Sequence, residues 1–306
     1  MFPLRFLLCT ALFLLLVSPD PTAAQSSAPA AHPASIYFTV TGKGDHPPDP
    51  VQAQLSVSLD KHPIPIAALR PAGADKLLFA LVIDTSSTDS VVAREIRDAA
   101  LQIFQSLTAQ GGQGYVVAFT TPVAMTNHPV DAAQAQRLLN AMLFGGSSSL
   151  YDAVSDTCTM LLSRAANPAS PRRAIILISA GNDDQSRASR SAAIEAAQRE
   201  GIAVFSIDTG VSVSHFDHWE SIVVDNGPGI NPGTLFLRDL SHSTGGQAWY
   251  EASVRQSVEP LLAALHRQWA LDLAPTPPPD AKLHPLSVRS SQKDLEFYAP
   301  SRIPLP

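Results

Sequence analysis

The amino-acid sequence predicts an α/β fold: a doubly wound, mostly parallel six-stranded sheet with helices on both faces, plus small β flanks at both ends. The first observation is an apolar run over residues 77–83, which ends in Asp84 and a hydroxyl-rich turn. Such a run is typical of a strand buried on both faces of a parallel sheet. The second observation is the alternation of strand-like and helix-like patterns that follows, which predicts a doubly wound, Rossmann-like arrangement.

The N-terminal residues have the pattern of a secretory signal peptide. Arg5 supplies a positive charge, residues 6–17 are almost continuously apolar, and small residues precede a cleavage point after Ala24. The apolar stretch is shorter than the about 20 residues of a membrane span. We therefore expect residues 1–24 to be removed and the protein to be exported to the periplasm, the cell surface or the medium, without a transmembrane helix after cleavage. An uncleaved N-terminal anchor is the alternative.

Charge and cysteine content exclude some classes of protein. The chain of 306 residues carries a formal net charge of −6, which argues against a nucleic-acid-binding face. Leader removal leaves Cys158 as the single cysteine, so an internal disulfide is excluded and stability must come from a core. Cys158 is interpreted as a small core residue, and a reactive thiol is the alternative.

The N-terminal flank is predicted to be extended. Residues 25–34 are rich in Ala, Ser and Pro, which predicts a disordered N-terminus of the mature chain. Residues 35–72 form a predicted β segment with strands at 36–40 and 52–59, and the prolines in 62–66 favour an edge strand.

The central domain is predicted to span residues 73–269. Its six expected strands are 77–83, 115–120, 123–126, 174–178, 202–207 and 247–250. Apolar residues at helical spacing predict helices over 90–109, 131–143, 150–164, 188–200, 234–243 and 254–269. Residues 270–306 form a predicted β appendage, with strand patterns at 269–273, 286–289 and 295–298; the sequence leaves open whether it packs on the N-terminal flank.

Three polar loops follow predicted strands or precede predicted helices. The first contains Asp84, Ser86 and Thr88, the second spans residues 145–152, and the third spans residues 179–184. Carboxylate and hydroxyl oxygens suit a hard cation such as Mg²⁺, and open α/β sheets bind ligands beyond the carboxyl ends of their strands. Taken singly, each loop can also be a helix cap or a solvated turn. Asp84 is the exception, because a carboxylate that ends a buried strand is costly unless it is paired or near a metal.

These loops and the strand order resemble the von Willebrand factor type A (vWA) domain and its metal-ion-dependent adhesion site. The chain is most similar to a bacterial subgroup of secreted vWA-related proteins, frequent in acidobacteria, with a signal peptide, a β segment, a Gly-Gly-…-Leu-Tyr-Asp-Ala loop and a β tail. The resemblance covers residues 35–303 and is strongest at 77–88, 145–154 and 173–184. It implies a Mg²⁺ site on the upper edge of the sheet, where a carboxylate of a protein partner often completes the coordination.

The resemblance assigns individual metal ligands. Asp84 and Ser86 match the first loop, and Thr88 stands where the family usually has serine. Ser148 takes the place of the usual threonine, with Ser147 as the alternative.

The third loop departs from the family pattern of Asp-Gly-x-Asp. Ala180 replaces the first aspartate, and Asp183 or Asp184 is left as the possible substitute. Because cation affinity depends on the charge of the ligands, we expect Mg²⁺ binding to be weakened or lost.

Two further patterns have competing interpretations. Residues 206–211 followed by His215 resemble the aspartate motif of subtilisin-like proteases, but no His-Gly and no Gly-Thr-Ser accompanies them. His215, Asp217 and His218 have the spacing of a metal cluster but no evident fourth ligand, which favours solvated residues or a partner contact.

Phe216 and Trp219 in the same loop are candidate anchors for a protein partner, and packing on the domain is the alternative. The sequence thus predicts an exported, non-enzymatic binding protein that recognises an unidentified protein. The alternative is a metal-independent structural or assembly factor of the cell envelope.

Overall fold

The computed structural model describes residues 35–42, 48–86, 90–164, 172–210, 231–274, 280–293 and 295–305. The predicted leader and the predicted disordered segment after it lie outside these ranges. Within them, no helix has both the length and the apolar character needed to cross a membrane.

A six-stranded sheet forms the centre of the α/β region. Its order is β10-β9-β8-β5-β6-β7. The strands are β5 Leu77–Asp84, β6 Gln113–Phe119, β7 Val123–Met125, β8 Arg172–Ser179, β9 Ile202–Asp208 and β10 Ala248–Trp249. All neighbours are parallel except β6 and β7, which form an antiparallel hairpin. The predicted fold class is therefore confirmed.

Helices cover both faces of this sheet. They are α1 Ser90–Ala109, α2 Ala132–Ala141, α3 Leu150–Arg164, α4 Arg190–Arg199, α5 Pro232–Ser243 and α6 Val258–His266. Phe79, Leu81 and Ile83 of β5 belong to the core with α1, α2 and α6, whereas Leu78 and Val82 belong to the core with α3, α4 and α5. Successive side chains of a strand point to opposite faces, so a strand between two helical layers needs apolar residues at every position.

The flanks from the two ends of the chain form two further four-stranded sheets. One has the order β13-β1-β11-β4 and the other β14-β12-β2-β3. The strands are β1 Ile36–Gly42, β2 Leu55–Leu59, β3 His62–Pro63, β4 Ile66–Pro71, β11 Gln268–Leu273, β12 Asp280–Ser290, β13 Leu295–Tyr298 and β14 Arg302–Leu305. Phe38, Val57, Leu271 and Leu286 share one buried cluster, which joins the two sheets.

The α/β region lies between two strands that pair with each other. β4 precedes it in the chain, β11 follows it, and Pro71 lies opposite Trp269 in an antiparallel ladder. β11 also pairs with β1, so the two flanks are hydrogen-bonded together. The α/β region is thus an insertion into a β structure to which both ends of the chain contribute.

The structure differs from the predicted elements near the flanks. The helix expected over 254–269 is a 3-10 turn, Val254–Ser257, followed by α6, and the chain is already a strand from Gln268. Pairing with β1 and β4 overrides the helical pattern there, as tertiary contacts often do. The strand expected at 286–289 extends over Asp280–Ser290, the segment 62–66 divides between β3 and β4, and β14 was not predicted.

A histidine between two carboxylates joins parts of the second flanking sheet. His284 Nδ1 lies 2.6 Å from Asp60 Oδ2, and His284 Nε2 lies 2.8 Å from Asp280 Oδ1. Asp60 belongs to the turn between β2 and β3, and its φ of 50° lies in the left-handed region. These hydrogen bonds raise the pKa of His284, and the contact with His284 lowers the pKa of Asp280.

The stability of the protein is therefore expected to depend on pH through His284. A histidine whose pKa is higher in the folded state contributes stability below its unfolded pKa of about 6.5 and loses that contribution as pH rises through the folded value. In urea unfolding, His284→Gln is expected to lower the midpoint more at about pH 5.5 than at about pH 9. An equal effect at both pH values would contradict the raised pKa of His284 in the folded protein.

Candidate functional site

The centre of the candidate site is the carboxylate of Asp84 at the end of β5. Its side chain is buried, with Asp84 only 7% exposed. Oδ2 accepts a hydrogen bond from Ser179 Oγ at 2.7 Å, and Oδ1 accepts one from the Ser86 backbone N–H at 3.0 Å. Burial raises the pKa of Asp84, while hydrogen bonds from Ser86, Ser179 and Ser148 oppose the shift. The hydroxyls partly replace the water that this carboxylate has lost.

The register of the sheet explains why Ser179 reaches Asp84. Ile83 of β5 lies opposite Ile178 of β8, so the next residues, Asp84 and Ser179, end neighbouring parallel strands side by side. Ser179 is the first residue of the third loop, but the sequence assigns it no role, because a serine that ends an apolar strand has the pattern of an ordinary turn. The strand register is the signal that identifies it.

The second loop meets both other loops. Ser148 Oγ lies 3.5 Å from Asp84 Oδ2, a long hydrogen bond. The Ser148 carbonyl accepts hydrogen bonds from the N–H groups of Asp184 and Gln185 at 2.9 and 3.0 Å. The Gly145 N–H donates to the Thr85 carbonyl at 2.8 Å. Of the two serines considered from the sequence, Ser148 is the one whose hydroxyl has a hydrogen bond to Asp84.

Asp183 takes part in a different set of contacts. Its Oδ1 accepts from the Tyr151 backbone N–H at 3.2 Å and from Ser186 Oγ at 2.5 Å. Tyr151 lies in the first turn of α3, where backbone N–H groups have no partner within the helix. This carboxylate oxygen therefore caps α3 from the neighbouring loop. The part of the loop after Asp183 is held by Asp152, which accepts the N–H of Ala188 at 2.8 Å.

Ala180 and Gly181 pack closely on the start of α5. Gly181 has a φ of +77°, and a Cβ added there would lie 2.2 Å from the Gly233 carbonyl oxygen. A Cβ added at Gly233 would lie 2.5 Å from the Ala180 carbonyl oxygen. The two backbones meet without a side chain between them, so the third loop has a fixed path even though it lacks the expected aspartate.

Asp208 is a second buried carboxylate at the same edge. It lies opposite Ser179 at the end of β9 and is 1% exposed. Its Oδ2 accepts from Thr234 Oγ1 at 2.6 Å, and its Oδ1 accepts from the Gly210 N–H at 2.7 Å. These contacts connect β9 to the first turn of α5, which is a structural use of the aspartate that resembles a protease motif.

The structure thus brings together only part of the predicted ligand set. Ser86 and Ser148 are hydrogen-bonded to the Asp84 carboxylate. Asp183 is hydrogen-bonded to the backbone N–H of Tyr151 at the start of α3. Asp184, the alternative to Asp183, accepts the Ser148 backbone N–H with Oδ2 at 3.4 Å. Six further predicted residues lie outside the described ranges: Thr88, His215, Phe216, Asp217, His218 and Trp219.

The donors at this point offer Mg²⁺ the smallest negative charge of its usual protein sites. Mg²⁺ in proteins is usually held by one or two carboxylates together with phosphate oxygens and waters. Asp84 is the one carboxylate among the described residues that is hydrogen-bonded to the Ser148 and Ser179 hydroxyls, and one of its oxygens already accepts from Ser179. Within the described ranges, no three histidine, cysteine or acidic side chains are placed to hold a metal ion.

Removal of the Ser179 hydroxyl is expected to destabilise the protein. Ser179→Ala leaves Asp84 Oδ2 without its shortest hydrogen bond in a buried site, which costs about 1–3 kcal/mol. Urea unfolding at neutral pH measures the loss. Ser147→Ala, in the second loop and only half-buried, is the matched control and is expected to change stability by less than about 0.5 kcal/mol. Equal losses in the two variants would contradict the role of Ser179.

Several solved structures are similar to this chain. An aerotolerance-related membrane protein from Bacteroides fragilis, in a form with multiple mutations to serine, is 14% identical with a TM-score of 0.42, over 62% of this chain and 98% of that one. The conserved hypothetical protein BatB from Bacteroides thetaiotaomicron is 13% identical with a TM-score of 0.43, over 62% and 97%. A von Willebrand factor type A protein from Catenulispora acidiphila is 12% identical with a TM-score of 0.48, over 89% and 64%.

No protein-family model and no curated protein sequence matches the chain. The fold assignment therefore rests on the order, direction and packing of its own strands and helices.

Proposed function

We propose that this chain is an exported, non-enzymatic vWA-type binding protein that contacts a protein partner through the loops at the carboxyl edge of its central sheet. The observation that carries the proposal is the Asp84 carboxylate, which hydroxyls of the second and third loops hold at that edge. Loops positioned on a rigid sheet are where α/β proteins bind their ligands.

The proposed binding mode depends little on a cation. Ala180 stands where the vWA pattern has an aspartate, and Asp183 Oδ1 is used at the start of α3. A site with one carboxylate has less negative charge to hold Mg²⁺ than a site with two. Partner recognition therefore rests on the shape and hydrogen-bonding groups of the three loops, with Mg²⁺ weakly bound or absent.

A metal-independent structural or assembly role in the envelope is the second candidate. It is favoured by the same hydrogen bond from Ser179, because Asp84 is stabilised without a cation. The two candidates differ in whether the loop edge is a binding surface. In the structural role, the fold and the β flanks carry the function, and substitutions at the loop edge have no effect on partner contacts.

Capture from envelope extract tests the proposal. The tagged full chain is compared with Asp84→Ala and with Val51→Ser, a control on the β flank, each with and without EDTA. We expect a protein that binds wild type and Val51→Ser but is lost with Asp84→Ala. Retention of that protein in EDTA supports the cation-independent mode, and loss in EDTA supports Mg²⁺. Equal capture by all three proteins would contradict binding through the Asp84 edge.

A further inference from the structure

The Asp84 carboxylate carries a negative charge in a buried position. Its Oδ1 accepts a hydrogen bond from the Ser86 N–H, and its Oδ2 accepts one from Ser179 Oγ. The Ser179 oxygen accepts the Gly181 N–H at 2.9 Å, which leaves the Ser179 proton for Asp84. A carboxyl group that only accepts hydrogen bonds has the pattern of the ionised form, since a protonated one would also donate. This negative charge belongs to a residue that is only 7% exposed.

No cation within the described ranges neutralises this charge. None of the ion pairs there includes Asp84. The two arginines after the third loop are used elsewhere: Arg187 Nε lies 4.0 Å from Asp152 Oδ2, and Arg190 pairs with Asp239. A buried charge without a counter-ion is costly, so a positively charged group of a ligand would stabilise this site.

Asp184 supplies a second carboxylate close to the first. Ser148 Oγ lies 3.5 Å from Asp84 Oδ2, and the Ser148 N–H donates to Asp184 Oδ2 at 3.4 Å. A further hydrogen bond fixes this approach, because the Asp184 N–H donates to the Ser148 carbonyl at 2.9 Å. Asp184 is exposed and, like Asp84, has no ion pair among the described residues. The loop edge thus presents one buried and one exposed carboxylate that both contact Ser148.

These two carboxylates determine the sign of the charge that a partner can bring to the edge. An acidic group would meet two like charges unless a metal ion lay between them. Ala180 stands where the vWA pattern has one of the carboxylates that hold such an ion. A lysine or arginine side chain needs no metal ion, because its N–H groups donate charge-assisted hydrogen bonds directly to carboxylates. The length of these side chains suits a carboxylate that lies below the surface.

We propose that the partner contributes a lysine or arginine side chain that pairs with the Asp84 and Asp184 carboxylates and takes the place of the metal ion. The pair with Asp84 is shielded from water and contributes most of the affinity. The pair with Asp184 lies at the exposed rim and contributes mainly to orientation and to the rate of association. This inference rests on the proposed function and names the chemistry of the partner.

Selection from a library of random peptides against the full-length protein, in EDTA, tests the inference. We expect the enriched peptides to share a lysine or arginine whose replacement by glutamine lowers affinity about tenfold or more. Affinity for the original peptides is expected to fall about tenfold in Asp84→Asn and about threefold in Asp184→Asn, because the first charge is buried and the second is exposed. Since Asp184 is exposed, Asp184→Asn tests the inference even where Asp84→Asn folds poorly. Asp49→Asn, an exposed aspartate of the β flank, is the matched control and is expected to leave affinity unchanged.

The variants also separate this inference from the proposed function. Peptides with a shared basic residue that bind more weakly to both aspartate variants support the inference. Peptides that depend on Asp84 but share no basic residue overturn the inference and leave the proposed function standing. Peptides that bind Asp84→Asn and Asp184→Asn as tightly as wild type overturn both. Enrichment of acidic peptides, or of no peptides in EDTA, would overturn a basic side chain as the group that pairs with Asp84.

Discussion

Ala180→Asp is expected to strengthen Mg²⁺ binding by about tenfold to a hundredfold, which corresponds to roughly 1.4–2.8 kcal/mol. The substitution supplies the carboxylate that the vWA pattern has in the third loop, directly after Ser179, the residue that already contacts Asp84. A second carboxylate raises cation affinity because hard divalent ions respond to the charge of their oxygen ligands. Ala180 is partly exposed, so the longer side chain does not have to enter the core.

Calorimetric titration of the full chain with MgCl₂ measures this gain. Asn182→Asp adds the same charge to the same loop on an exposed residue and is the matched control, with an expected change of less than about threefold. The double variant with Asp84→Ala is expected to lose the gain. A similar gain in Asn182→Asp, or persistence of the gain without Asp84, would show that the added charge acts only on the surface.

Gly181→Ala is expected to lower the free energy of unfolding by about 3 kcal/mol or more. The new Cβ would lie 2.2 Å from the Gly233 carbonyl oxygen, and the backbone at a φ of +77° disfavours any side chain. The obstacle is backbone on a neighbouring helix, so it cannot be relieved by a change of rotamer. Urea or thermal unfolding measures the loss.

Gly73→Ala is the control for this substitution. A Cβ at Gly73 meets nothing within 4 Å, so the change is expected to alter stability by less than about 1 kcal/mol. A loss below about 1 kcal/mol in Gly181→Ala would mean that the third loop can move away from α5. That result would contradict the conclusion that this loop has a fixed path, on which the shape of the binding edge depends.

The sequence was informative where local pattern and burial agree. Residues 77–83 have apolar side chains at every position because both faces of β5 are covered by helices. The helix expected over 90–109 has those bounds in the structure, because its apolar stripe faces a single core. These features depend on residues that are close in the chain and on how regularly buried positions recur. Both are visible in a sequence pattern.

The flanks show what local pattern cannot give. β1 pairs with β11 and β13, from the opposite end of the chain. Nothing in the alternation of residues 36–40 specifies those partners. The same limit explains the end of the last helix, where pairing of Trp269 with β1 and β4 replaces a helical turn.

The candidate site was only partly predictable for a related reason. Asp84 was identified from its position after a buried strand, but its nearest hydroxyl partner, Ser179, follows from strand register alone. Asp183 has the spacing of a metal ligand, yet the backbone N–H of Tyr151 at the start of α3 donates to one of its oxygens. A spacing pattern identifies side chains that can bind an ion. It does not show which of these side chains are already hydrogen-bonded to other groups in the fold.

Titration of the wild-type protein with Mg²⁺ and Mn²⁺ tests most directly whether the Asp84 edge binds divalent cations only weakly or not at all. We expect a Kd above about 1 mM for both ions, because Asp84 is the one carboxylate held by the Ser148 and Ser179 hydroxyls. Sub-millimolar binding that is abolished by Asp84→Ala would contradict it.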